Sequence, residues 1–137
     1  MVGCRGRMAL NFYPRAGQIF VADFSDLKAP EITKKRPVIV ISPKLPYRSG
    51  LTAIVPISTT APRHALPYVH KLSRNYTPWG NPEDDSWAKA DLVMNISLAR
   101  MSAFKVGRRK YDYPTLSPED LHAVRRAVLA GLGLDGH

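Results

Sequence analysis

A single cysteine, Cys4, excludes an internal disulfide and any cysteine-built zinc cluster. The chain also lacks a phosphate-cradling glycine-rich loop and the HExxH and GxSxG patterns. That sets aside the nucleotide hydrolases, zinc proteases and serine hydrolases that those motifs mark. Its four histidines, His64, His70, His122 and His137, stand at no metal-ligand spacing, so neither a metal nor another cofactor is expected. No apolar stretch approaches the roughly 20 residues of a membrane span, and no membrane partner is expected. Residues 1–15 carry Arg5, Arg7 and Arg15 without the apolar core of a secretory signal. They read as a flexible basic tail, and the cytoplasm is the expected compartment. Carboxylates are scarce too: 11 Asp and Glu against 20 Lys and Arg give a net charge of +9.

Such an excess in a small domain points to a polyanionic partner, either nucleic acid or an acidic protein. The cations recur in short groups, at Lys34-Lys35-Arg36, Arg48, Arg63, Lys71 and Arg74, and Lys105 to Lys110. Most of these groups flank apparent strands, as loops on a barrel rim would.

The chain is organised around residues 34–43, KKRPVIVISP. A β-branched run closed by Ser42-Pro43 reads as a buried strand, with Pro37 fitting only as its first residue. Arg36 is then held at a strand mouth, where a guanidinium can meet a phosphate in two-point fashion. Its other reading is a basic gatekeeper ahead of an aggregation-prone strand. Before it, residues 17–24 alternate as a strand, with Ile19 and Val21 on one face and Phe20 on the other. Residues 25–33 form a long loop. After it, Leu51–Ser58 is a strand that Pro56 places at an edge or bulge, opening into Ser58-Thr59-Thr60. Residues 66–72 and 86–95 read as further strands, joined by a long polar loop over 73–85 that is expected to be mobile until a ligand binds. Residues 96–104 are a short strand and a helical turn.

The period changes at Ser117-Pro118-Glu119-Asp120, a helix start with Ser as N-cap, Pro at the first helical position and acids in the first turn. Leu121, Val124, Val128 and Leu132 continue at helical spacing. The expected fold is mainly β with a C-terminal α-helix, a small SH3-like barrel, partly opened, in a single domain over residues 16–134. Tyr47, Tyr76, Trp79 and Tyr111 stand beside cations and are candidates to stack on unpaired bases, with loop or core packing as the alternative.

These residues together resemble the MazF/PemK (Kid) family of toxin ribonucleases from type II toxin–antitoxin modules. Residues 17–24, GQIFVADF, are similar to its opening strand. Glu31 to Val38 is similar to its E-Q-x-G-x-R-P-V element, although Ile32, Thr33, Lys34 and Lys35 replace the glutamine and glycine. Residues 55–60, VPISTT, resemble V-P-x-T-T/S. Ala90-Asp91 resembles its x-D/E-Q strand, with Leu92 in place of the glutamine. The helix from Ser117 resembles its closing helix.

The resemblance implies a CcdB/MazF-like barrel, a homodimer, metal-independent and sequence-selective cleavage of single-stranded RNA, and neutralisation by an acidic antitoxin protein. It places the catalytic arginine at Arg36 and the catalytic threonine at Thr59, with Ser58 the choice of a second alignment. It also places a base at Asp91 and a required glutamate at Glu31. Lys89 stands where one branch has an arginine, and Lys35, Arg63, Tyr47 and Trp79 join Ser58 as substrate-binding candidates. Lys89 and Asp91 have a second reading as an i,i+2 ion pair on one strand face. The alternative function is a non-catalytic barrel of the same superfamily that binds a protein, as a CcdB-like gyrase poison does, or binds RNA without cutting it.

Overall fold

The computed structural model of the protein describes residues 10, 12–28 and 34–134. The apolar run after Arg36 forms β2 (Lys35–Val40), between β1 (Ile19–Asp23) and β3 (Leu51–Ser58). β4 (Val69–Lys71), β5 (Trp87–Lys89), β6 (Met94–Ser97), β7 (Met101–Ser102), β8 (Phe104–Gly107), β9 (Lys110–Asp112) and α1 (Pro118–Gly131) follow. The main sheet is antiparallel and, among the described residues, runs β4-β5-β3-β2-β1-β7, with β6 also on β3. β8 and β9 make a separate hairpin. The fold is mainly β with one C-terminal helix, and no helix among the described residues is long and apolar enough to cross a membrane.

Strand alternation builds a core on each face. Ile19, Val21, Ile39, Val55 and Ile57 face α1 and pack with Val124 and Ala127. Phe20, Ala22, Val38, Val40 and Ile54 face the other way and pack with Phe24, Ile96 and Met101. A sheet covered on both sides needs apolar residues at successive positions, which is why residues 38–41 read as an unbroken run.

Pro37 is not the first residue of its strand but the third. It pairs with Val21 of β1, while the β3 ladder begins only at Val38, so on that side the missing N–H leaves no gap. Pro56 is tolerated for a related reason: β6 leaves the β3 edge at Ile54 and β5 joins it at Ile57. The strand expected over 66–72 shrinks to Val69–Lys71. The one expected over 86–95 is two strands with a 3₁₀ turn, Ala90–Leu92, between them. Both strands pair with the same edge of β3. From Ile57↔Ala88 to Ile54↔Met94, the β5–β6 segment uses three residues more than β3 does, and the turn loops them out.

The described part of the basic N-terminal segment packs on the sheet. Pro14 is fully buried, Phe12 meets Phe20 and Tyr113, and the Tyr13 hydroxyl donates to the Leu51 carbonyl. At the end of α1, Leu134 N–H donates to Leu129 O and Gly133 N–H to Ala130 O, with Gly133 at φ +77°. Gly131 remains inside the helix for another reason: a Cβ there would come 3.3 Å from the Asp91 Cα.

The start of the loop over 73–85 is anchored to α1. Asp120, buried in the first turn of α1, accepts hydrogen bonds from Ser73 N–H (3.1 Å), Ser73 Oγ (2.6 Å) and Tyr76 OH (2.7 Å). His70 Nε2 lies 2.9 Å from its second oxygen, and Tyr76 OH accepts from Ser117 N–H. Burial alone would raise the Asp120 pKa, but the hydrogen bonds from His70, Ser73 and Tyr76 outweigh it and hold the carboxyl at about 2, below its ordinary 3.8. The stabilisation is therefore complete above pH of about 4 and is lost as pH falls toward 2.

Two stability outcomes follow. Asp120→Asn should cost about 2 kcal/mol at neutral pH and flatten the acid limb of stability, measured by denaturant unfolding from pH 2 to 7. An unchanged limb would show that another carboxylate governs it. Gly133→Ala should cost about 1 kcal/mol, because an L side chain is strained at that positive φ. Equal unfolding midpoints would disprove it.

Candidate active site

Arg36, Val38 and Val40 alternate onto the face of the sheet away from α1, as do Ile54, Pro56 and Ser58. The β2–β3 ladder ends at Val38↔Pro56, and two residues further along each strand stand Arg36 and Ser58. Ser58 is also paired with Trp87 of β5, and Trp87 with Lys71 of β4. Directly opposed residues share a face, and so do strand neighbours two apart. Arg36, Ser58, Trp87, Lys71 and Lys89 therefore all lie on the face that α1 leaves uncovered.

Arg36 is half-buried, yet its guanidinium makes no hydrogen bond or ion pair among the described residues. A cation in that position favours an incoming anion, since burying an unpaired charge is costly. Ser58 Oγ accepts from the Thr60 N–H at 3.1 Å, which leaves its own proton free to donate outward. Lys89 is half-buried and also unpaired, whereas Lys71 meets Asp85 at 3.4 Å with both side chains exposed.

The other expected site residues separate from this row. Thr59 lies just past the end of β3, exposed, in the bend that leads to exposed Arg63 and His64. Lys35 is opposed to Asp23 on the helix side of the sheet. Asp91 has left the strand for the 3₁₀ turn, where its backbone lies against Gly131 of α1, and it forms no ion pair with Lys89. Glu31 lies outside the described residues.

Tyr47 is fully exposed in the β2–β3 loop, beyond the end of β2 that lies roughly 13 Å along the strand from Arg36. Tyr76 is buried with the Asp120 cluster. Trp79 packs edge-on to Phe104 at 4.9 Å and donates its indole N–H to the Lys105 carbonyl at 3.1 Å. Tyr111 is exposed on β9.

Two features escaped the sequence reading. His70 is the partner of Asp120, a tertiary contact that no local spacing betrays. Trp87 shares the Arg36 face, which the strand alternation Trp87-Ala88-Lys89 does signal once β5 is placed. Among the described residues no three His, Cys, Asp or Glu side chains converge where a metal ion could be held.

Residues 15–132 match the family of PemK-like, MazF-like toxins of type II toxin–antitoxin systems. The Escherichia coli (strain K12) protein YifN is 27% identical over 149 aligned positions, covering 91% of this chain and 95% of that protein. MazF from Deinococcus radiodurans superposes with a TM-score of 0.65 at 21% identity, covering 90% of this chain and 99% of that one. A mycobacterial endoribonuclease, solved with its cognate antitoxin, superposes with a TM-score of 0.63 at 18% identity, covering 89% and 97%. At those identities the two structures establish a common fold. The family match spans nearly the whole chain, Arg36 and Ser58 included, and the chain belongs to the PemK-like, MazF-like toxins of type II toxin–antitoxin systems.

Proposed function

We propose that this protein is a toxin endoribonuclease that cuts single-stranded RNA by attack of the substrate's own 2′-OH, without a metal, and that an acidic antitoxin neutralises it. The observation that carries this reading is the unpaired, half-buried Arg36 beside the free hydroxyl of Ser58, on a cationic face in a chain of this family. In the reaction a base removes the 2′-OH proton and the oxygen attacks the adjacent phosphorus. The dianionic phosphorane then expels the 5′ oxygen, which leaves protonated. The products are a 2′,3′-cyclic phosphate and a 5′-hydroxyl.

Arg36 offers two fixed donors and a permanent charge to the phosphorane. Ser58 adds a neutral donor to a nonbridging oxygen, and its place on the Arg36 face favours it over Thr59 for that role. Asp91 and Glu31 are the two candidate bases. The same cationic face suits an acidic antitoxin segment, and RNA as the substrate fits the cytoplasm. Exposed Leu92, Leu129, Leu132 and Leu134, at the 3₁₀ turn and the end of α1, are apolar surface that the expected homodimer would cover.

Arg36→Ala should slow cleavage by roughly 10²–10³-fold with little change in RNA affinity, and Arg36→Lys should rescue poorly because an ammonium lacks the planar fork. Ser58→Ala should cost more than Thr59→Val in single-turnover assays. The reverse order would return the role to Thr59. Asp91→Asn should remove the acid limb of the pH–rate profile if Asp91 is the base, whereas an unmoved profile assigns the base to Glu31.

Mixed-sequence RNA incubated with the protein in EDTA should yield 2′,3′-cyclic phosphate ends. An oligonucleotide with a 2′-deoxy group at the mapped scissile nucleotide should bind and stay whole. Cleavage of that oligonucleotide would refute the mechanism, and RNA bound but never cut would make the protein a binder.

A further inference from the structure

Resting on the endoribonuclease reading, we propose that Trp87 is a stacking platform for the nucleobase beside the scissile phosphate, with Lys71 and Lys89 flanking it. Trp87 stands directly opposite Ser58 in the β3–β5 ladder and opposite Lys71 in the β4–β5 ladder. Directly opposed residues are about 5 Å apart at Cβ, so the indole is within a nucleotide's reach of the hydroxyl that faces the phosphate.

The fold itself makes no evident use of this side chain. Trp87 belongs to neither hydrophobic core, contacts no other ring and hydrogen-bonds nothing through its indole N–H among the described residues. Tryptophans that serve packing ordinarily satisfy that N–H, as Trp79 does with the Lys105 carbonyl. The two tryptophans of the chain therefore divide the roles: Trp79 fastens a loop, and half-buried Trp87 keeps an indole donor without a partner among the described residues.

A flat ring between cations matches the physics of single-stranded RNA binding, in which a positive groove follows the backbone while aromatic faces take the bases. Among the described residues the one carboxylate paired to a cation of this row is Asp85, which is exposed and meets Lys71. Of the other aromatic candidates, Tyr76 is buried and Tyr47 lies beyond the far end of β2. Stacking tolerates any base, so the platform contributes affinity and positioning rather than base choice.

The probe is a single-stranded RNA with a 2′-deoxy group at the scissile nucleotide mapped with the wild-type protein. Trp87→Leu should weaken its binding about 5- to 150-fold, the span of stacking on one aromatic ring, and Trp87→Phe should stay within about threefold of wild type. With cleavable RNA, the leucine variant should raise KM more than it lowers kcat. RNA should quench the fluorescence of the wild-type protein, and the quench should vanish in Trp87→Phe, which retains only Trp79. That comparison decides the matter even where the leucine variant unfolds.

A wild-type protein that neither binds nor cuts RNA would overturn the endoribonuclease reading and the platform with it. A wild type that cuts RNA, beside a folded Trp87→Leu with unchanged affinity or a quench that persists in Trp87→Phe, would overturn the platform alone. A leucine variant with intact RNA affinity and altered self-association would assign Trp87 to a protein contact instead.

Discussion

β3 is the strand on which the rest of the sheet registers. One edge takes β2, and the other takes β6 for its first half and β5 for its last two residues. One chain segment can supply both partners only by looping out three residues, which produces the Ala90–Leu92 turn and carries Asp91 away from the strand. Pro56 occupies the gap between the two partners, where an N–H would find nothing to donate to. The result is that Ser58, at the very end of β3, meets β5 on one side and lies level with Arg36 on the other. A slip of one residue would turn Ser58 toward α1 and bring Thr59 to the Arg36 face, so hydroxyl choice is a matter of register.

Why the sheet has a cationic face follows from where the helix sits. α1 covers one face of the sheet along Val55, Ile57 and Ala88. The opposite face carries the second core, which on β2 and β3 includes Val38, Val40 and Ile54. On the same face the alternation continues into Arg36, Ser58, Trp87 and Lys89, which are half-buried and belong to neither core. The same period-2 rule that builds the core thus delivers polar groups to the end of the same face. The charges there resist neutralisation from within: Arg36 and Lys89 have no carboxylate partner among the described residues.

The legible parts of the sequence were those governed by local rules. The β2 run, the limits of β3, the Ser117 cap and the helix were all readable from alternation, turn residues and capping. So was the family, because its motifs keep their order. The illegible parts depend on contacts between distant residues. Asp91 looked like a strand residue because only the shared β3 edge forces the looped turn. Tyr76 and Trp79 looked equally free, and tertiary hydrogen bonds to Asp120 and Lys105 decide their roles. Lys35 and Arg36 are adjacent cations that point to opposite faces, which becomes meaningful only once the strand has a covered side.

The Asp120 cluster braces β4 from the helix side of the sheet. β4 and β5 have three residues each, and β5 has only two paired with β3. Strands that short do not hold themselves, so something must fix β4 from outside the sheet. Asp120 does so at two points, through His70 within β4 and through Ser73 immediately beyond it, while Tyr76 binds the same carboxylate and the backbone of the N-cap residue Ser117. The folded first turn of α1 supplies the carboxylate, and its backbone dipoles favour a negative charge there. Helix capping, the anchoring of β4 and the placement of Trp87 and Lys89 on β5 thus form one mechanical chain. A carboxylate on the helix side of the sheet is thereby tied to a strand that pairs with the one carrying Trp87 and Lys89 on the other face.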